Sequence, residues 1–591
     1  MARTATNAAG ISAAGMTRKT FLKGSAVMIG ASAFGFPALG RAAKRPNILF
    51  VCTDQEQSWM ELPDILPLPH HEWLRTNGAA FDNYHVQTTP CGPSRSNIYT
   101  GQHTQRTGVF MNPNTPPQPE LAVDFATIGD MMRSLGYHTA YKGKWHLSNV
   151  NRGRKFGGVA GGIYPNAQNA LEPYGFSEFN FYGEAVGLSW DGFKLDGTIA
   201  GDAARAMRNY AAGAIDDKPW FLAVNLINPH DIMFFDATGE QNKTRILQDA
   251  ISPIIGAPGT QSYERKWDVP LPRSFYEDDL STKPEMHRAL RDGSRGFYGA
   301  MPKEDEASWR RFRDYYFNCV VDVDRHIGVL LDTLRDTDQL DNTIIVYTSD
   351  HGERNGAHGL RQKAGTIYKE EVRVPLIIRR PGGPHFSTSA LAGAIDLVPT
   401  LISLATEGKP SELPGSVSLP GIDLSPALES ANHRTERDKR GILFNYVSKY
   451  YWGAVPGATI IDAVLALSRD PEAPLIAPAD YDLTKRRLHR GVHDGRYKFA
   501  RYFAPNDHHQ PRDWDELLAR NDLELYDTKN DPDEIINLAF APGGSQLPIE
   551  LKARLEVLNK MTNNLVQREI GEDKGAVYRD GLEKYNLREY Q

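Results

Sequence analysis

Cys91 lies in the run Thr89-Pro90-Cys91-Gly92-Pro93-Ser94-Arg95, which leads into Ser96-Asn97-Ile98-Tyr99-Thr100. Proline is tolerated in a first helical turn, so this spacing predicts Cys91 at a helix N-terminus. That end presents free N–H groups and favours anions, and Arg95 adds positive charge. A thiol so placed is acidified and nucleophilic. A lone cysteine is as readily an inert core side chain, and these residues alone leave both readings open.

Four other segments carry residues able to do chemistry, each at the end of a short apolar run. Ile48–Cys52 runs into Thr53-Asp54-Gln55, and His138–Tyr141 into Lys142-Gly143-Lys144-Trp145-His146. Trp220–Leu226 runs into Asn228-Pro229-His230-Asp231, and Thr343–Tyr347 into Thr348-Ser349-Asp350-His351-Gly352. Continuous apolar runs of this length suit strands buried on both faces. Between them, Phe125–Leu135 and Tyr315–Leu334 show apolar residues at helical spacing. Strands alternating with helices imply a mostly parallel α/β sheet sandwiched by helices. Ligands bind such sheets beyond the carboxyl ends of the strands, which is where the Asp, Lys and His residues fall.

The 591-residue chain has a net charge of −6, with 40% hydrophobic and 24% charged residues. That balance suits a globular protein and gives no basic surface for nucleic acid. A locally basic pocket for a small anion remains compatible with it. Three cysteines, Cys52, Cys91 and Cys319, make neither a disulfide framework nor a cysteine-rich zinc site. Residues 1–43 have a basic stretch, an apolar Gly/Ala-rich stretch and small residues, the layout of an export signal that is cleaved. Arg18-Lys19 followed by Phe21-Leu22-Lys23 resembles a twin-arginine signal with lysine in the second place, implying export to a periplasm. The apolar stretch is short for a membrane span, so no membrane association is expected after its removal.

The remaining organisation is read as a catalytic domain over 44–430, a smaller antiparallel-sheet domain over 431–545, and a C-terminal helix and tail over 546–591. Residues 232–310 read as a long irregular excursion forming a substrate wall. Gly441–Asn445, Arg490–His493, Tyr497–Arg501 and Leu523–Asp527 read as strands, with Asp494-Gly495 as a hairpin turn. Leu551, Leu555, Leu558, Met561 and Leu565 form a helical stripe, read as a possible homo-oligomer contact. Tyr450, Tyr451 and Trp452 are aromatic enough to line a pocket or to join a core. The adjacent pairs His70-His71 and His508-His509 are read as loop residues.

Cys91-x-Pro93-Ser94-Arg95 followed by Thr100-Gly101 resembles the signature of the type I sulfatases of the alkaline phosphatase superfamily. Gly143-Lys144-Trp145-His146, Ser349-Asp350-His351-Gly352, Gly356-x-His358-Gly359 and Lys363 match further elements of that family in order. Val374–Ile377, Asp396–Thr400, Leu525–Asp527 with Asp531-Pro532, and Asn537–Ala539 extend the resemblance over about residues 45–545. It implies an alkaline phosphatase-like fold, and a nucleophile made when a formylglycine-generating enzyme oxidises Cys91. It also implies one divalent cation held by Asp54, Gln55, Cys91, Asp350 and His351, with Ca2+ foremost and Mn2+ or Mg2+ as alternatives. Gln55 and His351 stand where many relatives carry Asp and Asn, a pairing that resembles choline sulfatases and phosphonate monoester hydrolases. His351 brings a nitrogen donor, which favours manganese relative to an all-oxygen site.

The resemblance further implies that Arg95, Lys144 and Lys363 surround the sulfate oxygens. His230 would protonate the leaving alcohol and His146 would accept a proton from the hydrated aldehyde, tasks for groups near neutral pKa. His358 is read as structural. The implied activity is hydrolysis of a small-molecule sulfate ester, the alternative being a phosphonate monoester or phosphate diester hydrolase on the same fold. A non-enzymatic binding protein on this fold is the rival from another class.

Overall fold

The computed structural model describes residues 45–113, 120–148, 150, 170–179, 187–245, 252–408, 418–447, 484–542 and 546–571. The expected export signal and the Tyr450–Trp452 cluster lie outside these residues. In chain order the strands are β1 Asn47–Asp54, β2 Ala79–Phe81, β3 Tyr84–His85, β4 His138–Gly143, β5 Trp220–Pro229, β6 Thr343–Ser349 and β7 Leu376–Arg379. They continue with β8 Phe386–Thr388, β9 Ala392–Gly393, β10 Ile442–Tyr446, β11 Leu488–His493, β12 Tyr497–Phe503 and β13 Asp522–Asp527.

The apolar runs are buried on both faces because alternate side chains enter two different cores. From β1, Ile48, Phe50 and Cys52 enter one core and Leu49 and Val51 the other. β5 and β6 divide in the same way, with Phe221 and Val346 on one side, Leu222 and Ile345 on the other. The sheet order is β4-β5-β1-β6-β7-β2-β8. β4, β5, β1 and β6 run parallel, and β7 pairs antiparallel with both β6 and β2. The expected mostly parallel sandwich is therefore present. The ends of β4, β5, β1 and β6 carry the candidate site, and β2 and β8 run in the same direction beyond β7.

The helix expected over Phe125–Leu135 spans Ile128–Ser134, opened by a capping box between Thr127 and Asp130. The one expected over Tyr315–Leu334 spans Glu306–Asp336 and covers the second core with Asp191–Ala211. The excursion over 232–310 is less irregular than expected. It contains the helices Arg273–Glu277 and Glu285–Tyr298. Phe235, Tyr263, Trp267 and Phe275 bury themselves on the long helix, Phe235 stacking on Tyr315 at 4.0 Å between ring centroids. His70-His71 is also a correction, since both residues sit in the first turn of the helix Pro69–Asn77. Asp324 accepts hydrogen bonds from both of their backbone N–H groups and pairs with both rings. His508 and His509 do lie beyond a short 3-10 turn, in a loop.

The strands β10-β11-β12-β13 form a separate antiparallel sheet in the expected places. Asp494 closes the β11–β12 turn by accepting the N–H groups of Arg496 and Tyr497, and Gly495 takes the φ of +98° that favours glycine. One face of this sheet places Ile442, Phe444 and Tyr502 in the same core as β1. The other face carries the helix Ile549–Leu565. Leu555, Leu558 and Leu565 of that helix pack on Leu443, Val492, Phe499 and Leu525. The apolar stripe read as an oligomer contact is thus covered by the chain's own sheet. No helix among the described residues is long and apolar enough to cross a membrane.

Candidate active site

β1 and β6 are neighbours in register, Thr53 opposite Ser349. Asp54 at the end of β1 and Asp350-His351 just past β6 therefore emerge side by side, one strand spacing apart. Cys91 is the first residue of the helix Cys91–Thr100, as the proline spacing predicts, and the whole helix is buried. One donor atom from each of Asp54, Cys91, Asp350 and His351 lies within 4.8 Å of the others. Cys91 Sγ is 3.7 Å from Asp54 Oδ1 and 3.1 Å from His351 Nε2.

Arg95 follows Cys91 by one helical turn and shares its face. Its role differs from the expected one at the sulfate oxygens, because its guanidinium is spent on protein groups. Nε donates to Asp350 Oδ2 at 2.7 Å and Nη2 to Asp54 Oδ2 at 3.2 Å. Nη1 donates to Lys144 O at 2.8 Å and to Asn225 Oδ1 at 3.1 Å. The planar fork matches two carboxylates at once. It fixes the outer oxygen of each aspartate and leaves Asp54 Oδ1 and Asp350 Oδ1 facing His351 Nε2, at 3.7 and 3.6 Å.

Lys144 stands just past β4, and its Nζ lies 2.7 Å from Asp54 Oδ2 and 3.9 Å from Cys91 Sγ. The turn that presents it requires Gly143. With φ of +87°, a Cβ there would lie 2.0 Å from the carbonyl oxygen of Asn225. His230, just past β5, brings Nε2 to 3.9 Å from Asp54 Oδ1. Its loop is held by Asp196 on the preceding helix and by Asp231 in its own turn. Asp196 accepts the N–H groups of Ile227 and Asn228, and Asp231 accepts those of Gly192 and Phe193. His146 is buried two residues past Lys144, with φ of +58°. Lys363 arrives on the loop after β6 and donates from Nζ to Gln55 Oε1, with Met233 Sδ at 3.8 Å. Gln55 Nε2 donates to Glu353 Oε2.

The site is a dense alternation of buried charges. Burial alone would raise the Asp54 carboxyl, but the charges of Lys144 and Arg95 hold it well below the usual carboxylate range. Burial opposes the charges of Lys144 and Arg95, and the aspartates more than restore them. His351 is pushed up to about 9, because Asp350 and Cys91 outweigh burial. His230 and His146 both fall well below 6.5, first through burial and then through Lys144 with Lys363 or Arg95.

The donor set fits one hard or borderline dication. Two carboxylate oxygens and an imidazole nitrogen converge beside position 91, a mixed oxygen and nitrogen set that Ca2+, Mg2+ or Mn2+ can use. His358 lies apart, stacked on Tyr368 at 3.6 Å and bonded to Asp278 Oδ2 at 2.8 Å. Its structural reading holds. Asn225 and Glu353 went unread in the sequence. Asn225 is the one polar residue in the run Trp220–Leu226, a signal that could have singled it out. It accepts from Arg95 and from Tyr99 Oη, at 3.1 and 2.7 Å. Glu353 carried no signal of its own.

The Sulfatase family model matches residues 46–407. Among curated proteins, the chain is 29% identical over 383 residues to the uncharacterized sulfatase YidJ of Escherichia coli (strain K12), covering 63% of this chain and 70% of that one. It is 25% identical over 553 residues to an N-acetylglucosamine-6-O-sulfatase of Bacteroides thetaiotaomicron, covering 88% and 87%. A solved phosphonate monoester hydrolase from Silicibacter pomeroyi shares the fold, with a TM-score of 0.60 at 19% identity, covering 89% of this chain and 96% of that one.

Proposed function

The chain belongs to the sulfatase family and is a sulfuric ester hydrolase, and from that premise we propose that it cleaves organic sulfate esters at a formylglycine made from Cys91. The observation that carries this is the convergence of Asp54, Asp350 and His351 on the Cys91 side chain, with Lys144 3.9 Å from its sulfur. Asp54, Gln55, Asp350, His351 and position 91 would hold one divalent cation, Ca2+ foremost, which when bound supplies Lewis-acid polarisation of a sulfate oxygen. Once oxidised and hydrated, position 91 supplies a hydroxyl that attacks sulfur and a second hydroxyl whose deprotonation releases sulfate.

The chain's own residues do the rest. Arg95 holds both aspartates in place, so their inner oxygens keep a fixed separation. Lys144 and Lys363 approach from β4 and from the loop after β6, and offset negative charge on the transferred group. His230 is neutral in the free protein because burial and these two lysines exclude its proton. An arriving sulfate ester offsets the lysine charges and lets His230 take up a proton, which it then donates from Nε2 to the leaving oxygen. His146, neutral in the same field, accepts a proton at position 91. Water attack on a covalently sulfated side chain is thereby unnecessary.

Peptide mass spectrometry on the Cys91 segment tests the nucleophile, in a host that has the modifying enzyme. A lighter aldehyde-bearing peptide is expected, and a purely thiol-bearing peptide in active protein would overturn the reading. Gln55 with His351, together with the fold shared with a phosphonate monoester hydrolase, supports a second reading as a phosphonate or phosphodiester hydrolase. Turnover of 4-nitrophenyl sulfate against 4-nitrophenyl phenylphosphonate separates the two, and equal or faster phosphonate turnover favours the second.

A further inference from the structure

Lys363 reaches the site from a loop whose backbone is curled on both sides of it. Gln362, Ala364 and Gly365 have φ of +68°, +83° and +84°, all in the left-handed region. Side chains disfavour that region, so Gln362 and Ala364 keep it only because surrounding groups impose it. The curl turns four consecutive carbonyls, from Arg361 to Ala364, toward one residue, Arg354. The Arg354 backbone N–H donates to Gln362 O at 3.2 Å. Its Nη2 donates to Arg361 O at 3.0 Å and to Lys363 O at 3.3 Å, and its Nη1 to Ala364 O at 3.2 Å. Carbonyl oxygens gathered this closely repel one another. A guanidinium offsets that repulsion with its charge and meets several of them with N–H groups in one plane.

Glu371 braces the guanidinium. Its Oε2 accepts from Arg354 Nη1 at 2.7 Å. Its Oε1 accepts from the Ala364 N–H at 2.7 Å and from Thr89 Oγ1 at 2.8 Å. Thr89 stands two residues before Cys91. One carboxylate is therefore bonded both to the loop of the lysine and to the segment of the nucleophile. Arg354 and Glu371 are buried, and none of these bonds involves Asp54, Gln55, Cys91, Asp350 or His351.

We propose that Arg354, braced by Glu371, is a positioning residue for Lys363: it winds residues 361–364 around its guanidinium and so fixes where the lysine leaves the backbone relative to Cys91. The inference rests on the sulfatase reading for the role of Lys363. The guanidinium bonds to loop carbonyls, to Glu371 and to Thr366 Oγ1, the last at 3.3 Å. It thus acts on the path of the loop and takes nothing from the lysine ammonium.

Arg354→Lys keeps the charge and loses the planar fork. In steady-state assays its kcat/KM for 4-nitrophenyl sulfate should fall about 10²-fold, the scale of a roughly 1 Å misplacement. Made in a Lys363→Met background, the same change should lower the rate little further, because the two residues act through one group. A purely structural role would lower the rate by the same factor in both backgrounds, and that result overturns the proposal. So does a wild-type rate in Arg354→Lys. A wild-type rate in Lys363→Met overturns it as well, by removing the role of Lys363 from the sulfatase reading. If Arg354→Lys does not fold, Glu371→Gln takes its place in the cycle: it keeps an oxygen for Ala364 and Thr89 and sets an NH2 group against the guanidinium. The same four proteins are assayed with 4-nitrophenyl phenylphosphonate. Faster phosphonate turnover by the wild type counts against the sulfatase reading, while the coupling in the cycle still decides the role of Arg354.

Discussion

Arg95→Met removes the guanidinium that joins the two aspartates and keeps much of the side-chain volume. Arg95 is fully buried, and two of its four hydrogen bonds go to carboxylates. The aspartates are affected unequally. Asp54 keeps Lys144 at 2.7 Å, whereas Asp350 pairs with no other lysine or arginine among the described residues. The main penalty therefore falls on Asp350, left with only His351 at 3.6 Å as a cationic neighbour, and breaking such a buried pair from one side costs about 3–5 kcal/mol. A dication beside both inner oxygens supplies the missing positive charge, so the loss should shrink when the metal binds. Urea unfolding followed by tryptophan fluorescence, in chelator and then in excess calcium, measures both quantities. A loss below about 1 kcal/mol, typical of an exposed pair, would refute the clamp. So would a larger loss that calcium leaves unchanged.

His230→Ala should slow alkyl sulfates by about 10²–10⁴-fold, the usual worth of a general acid, and slow 4-nitrophenyl sulfate much less, because nitrophenolate leaves without a proton; equal slowing of both in steady-state assays would count against proton donation. His71, held by Glu56 and Asp324 against the opposing effect of burial, is raised from 6.5 to about 9 in the folded protein. Its contribution to stability is then complete below pH 6.5 and lost as pH rises through 9, so the stability difference between wild type and His71→Gln in urea should fall between pH 6 and about 9.5. Leu558→Ala, in the fully buried seam between the C-terminal helix and the small sheet, should cost about 2–5 kcal/mol in the same assay, with the protein's mass by light scattering unchanged.

The parts of the fold legible in the sequence were those whose cause is local. Ile48–Cys52 and Ile344–Tyr347 are apolar on every residue because each face of the sheet has its own core, and that shows as an unbroken run. Asp54, Lys144, His230 and Asp350 follow such runs, so their shared edge could be inferred before any contact was known. The helix start at Cys91 was legible from Pro90 and Pro93. What could not be read depends on partners distant in sequence. Arg95 looked free for substrate until Asp54 and Asp350 were seen to occupy it. Gln55 Nε2 donates to Glu353, 298 positions away. Periodicity showed that the Leu555–Leu565 stripe must be covered, and was silent on whether by another copy or by the chain's own sheet. His230 and His146 kept the pKa of free histidine in that reading because burial and the surrounding lysines are three-dimensional quantities.

Every residue from Cys91 to Thr100 is buried once the chain has folded. On the formylglycine reading proposed above, an enzyme that oxidises the Cys91 thiol would have to reach it before this helix is buried, and maturation would then be a matter of timing. The thiol would be within reach only until β1 and β6 close around it, and β6 is not complete until Ser349, more than 250 residues later in synthesis. The interval in which that much chain is made and paired is the interval open to modification. A variant that folded faster would leave a larger fraction of molecules with the original cysteine, correctly folded and inactive.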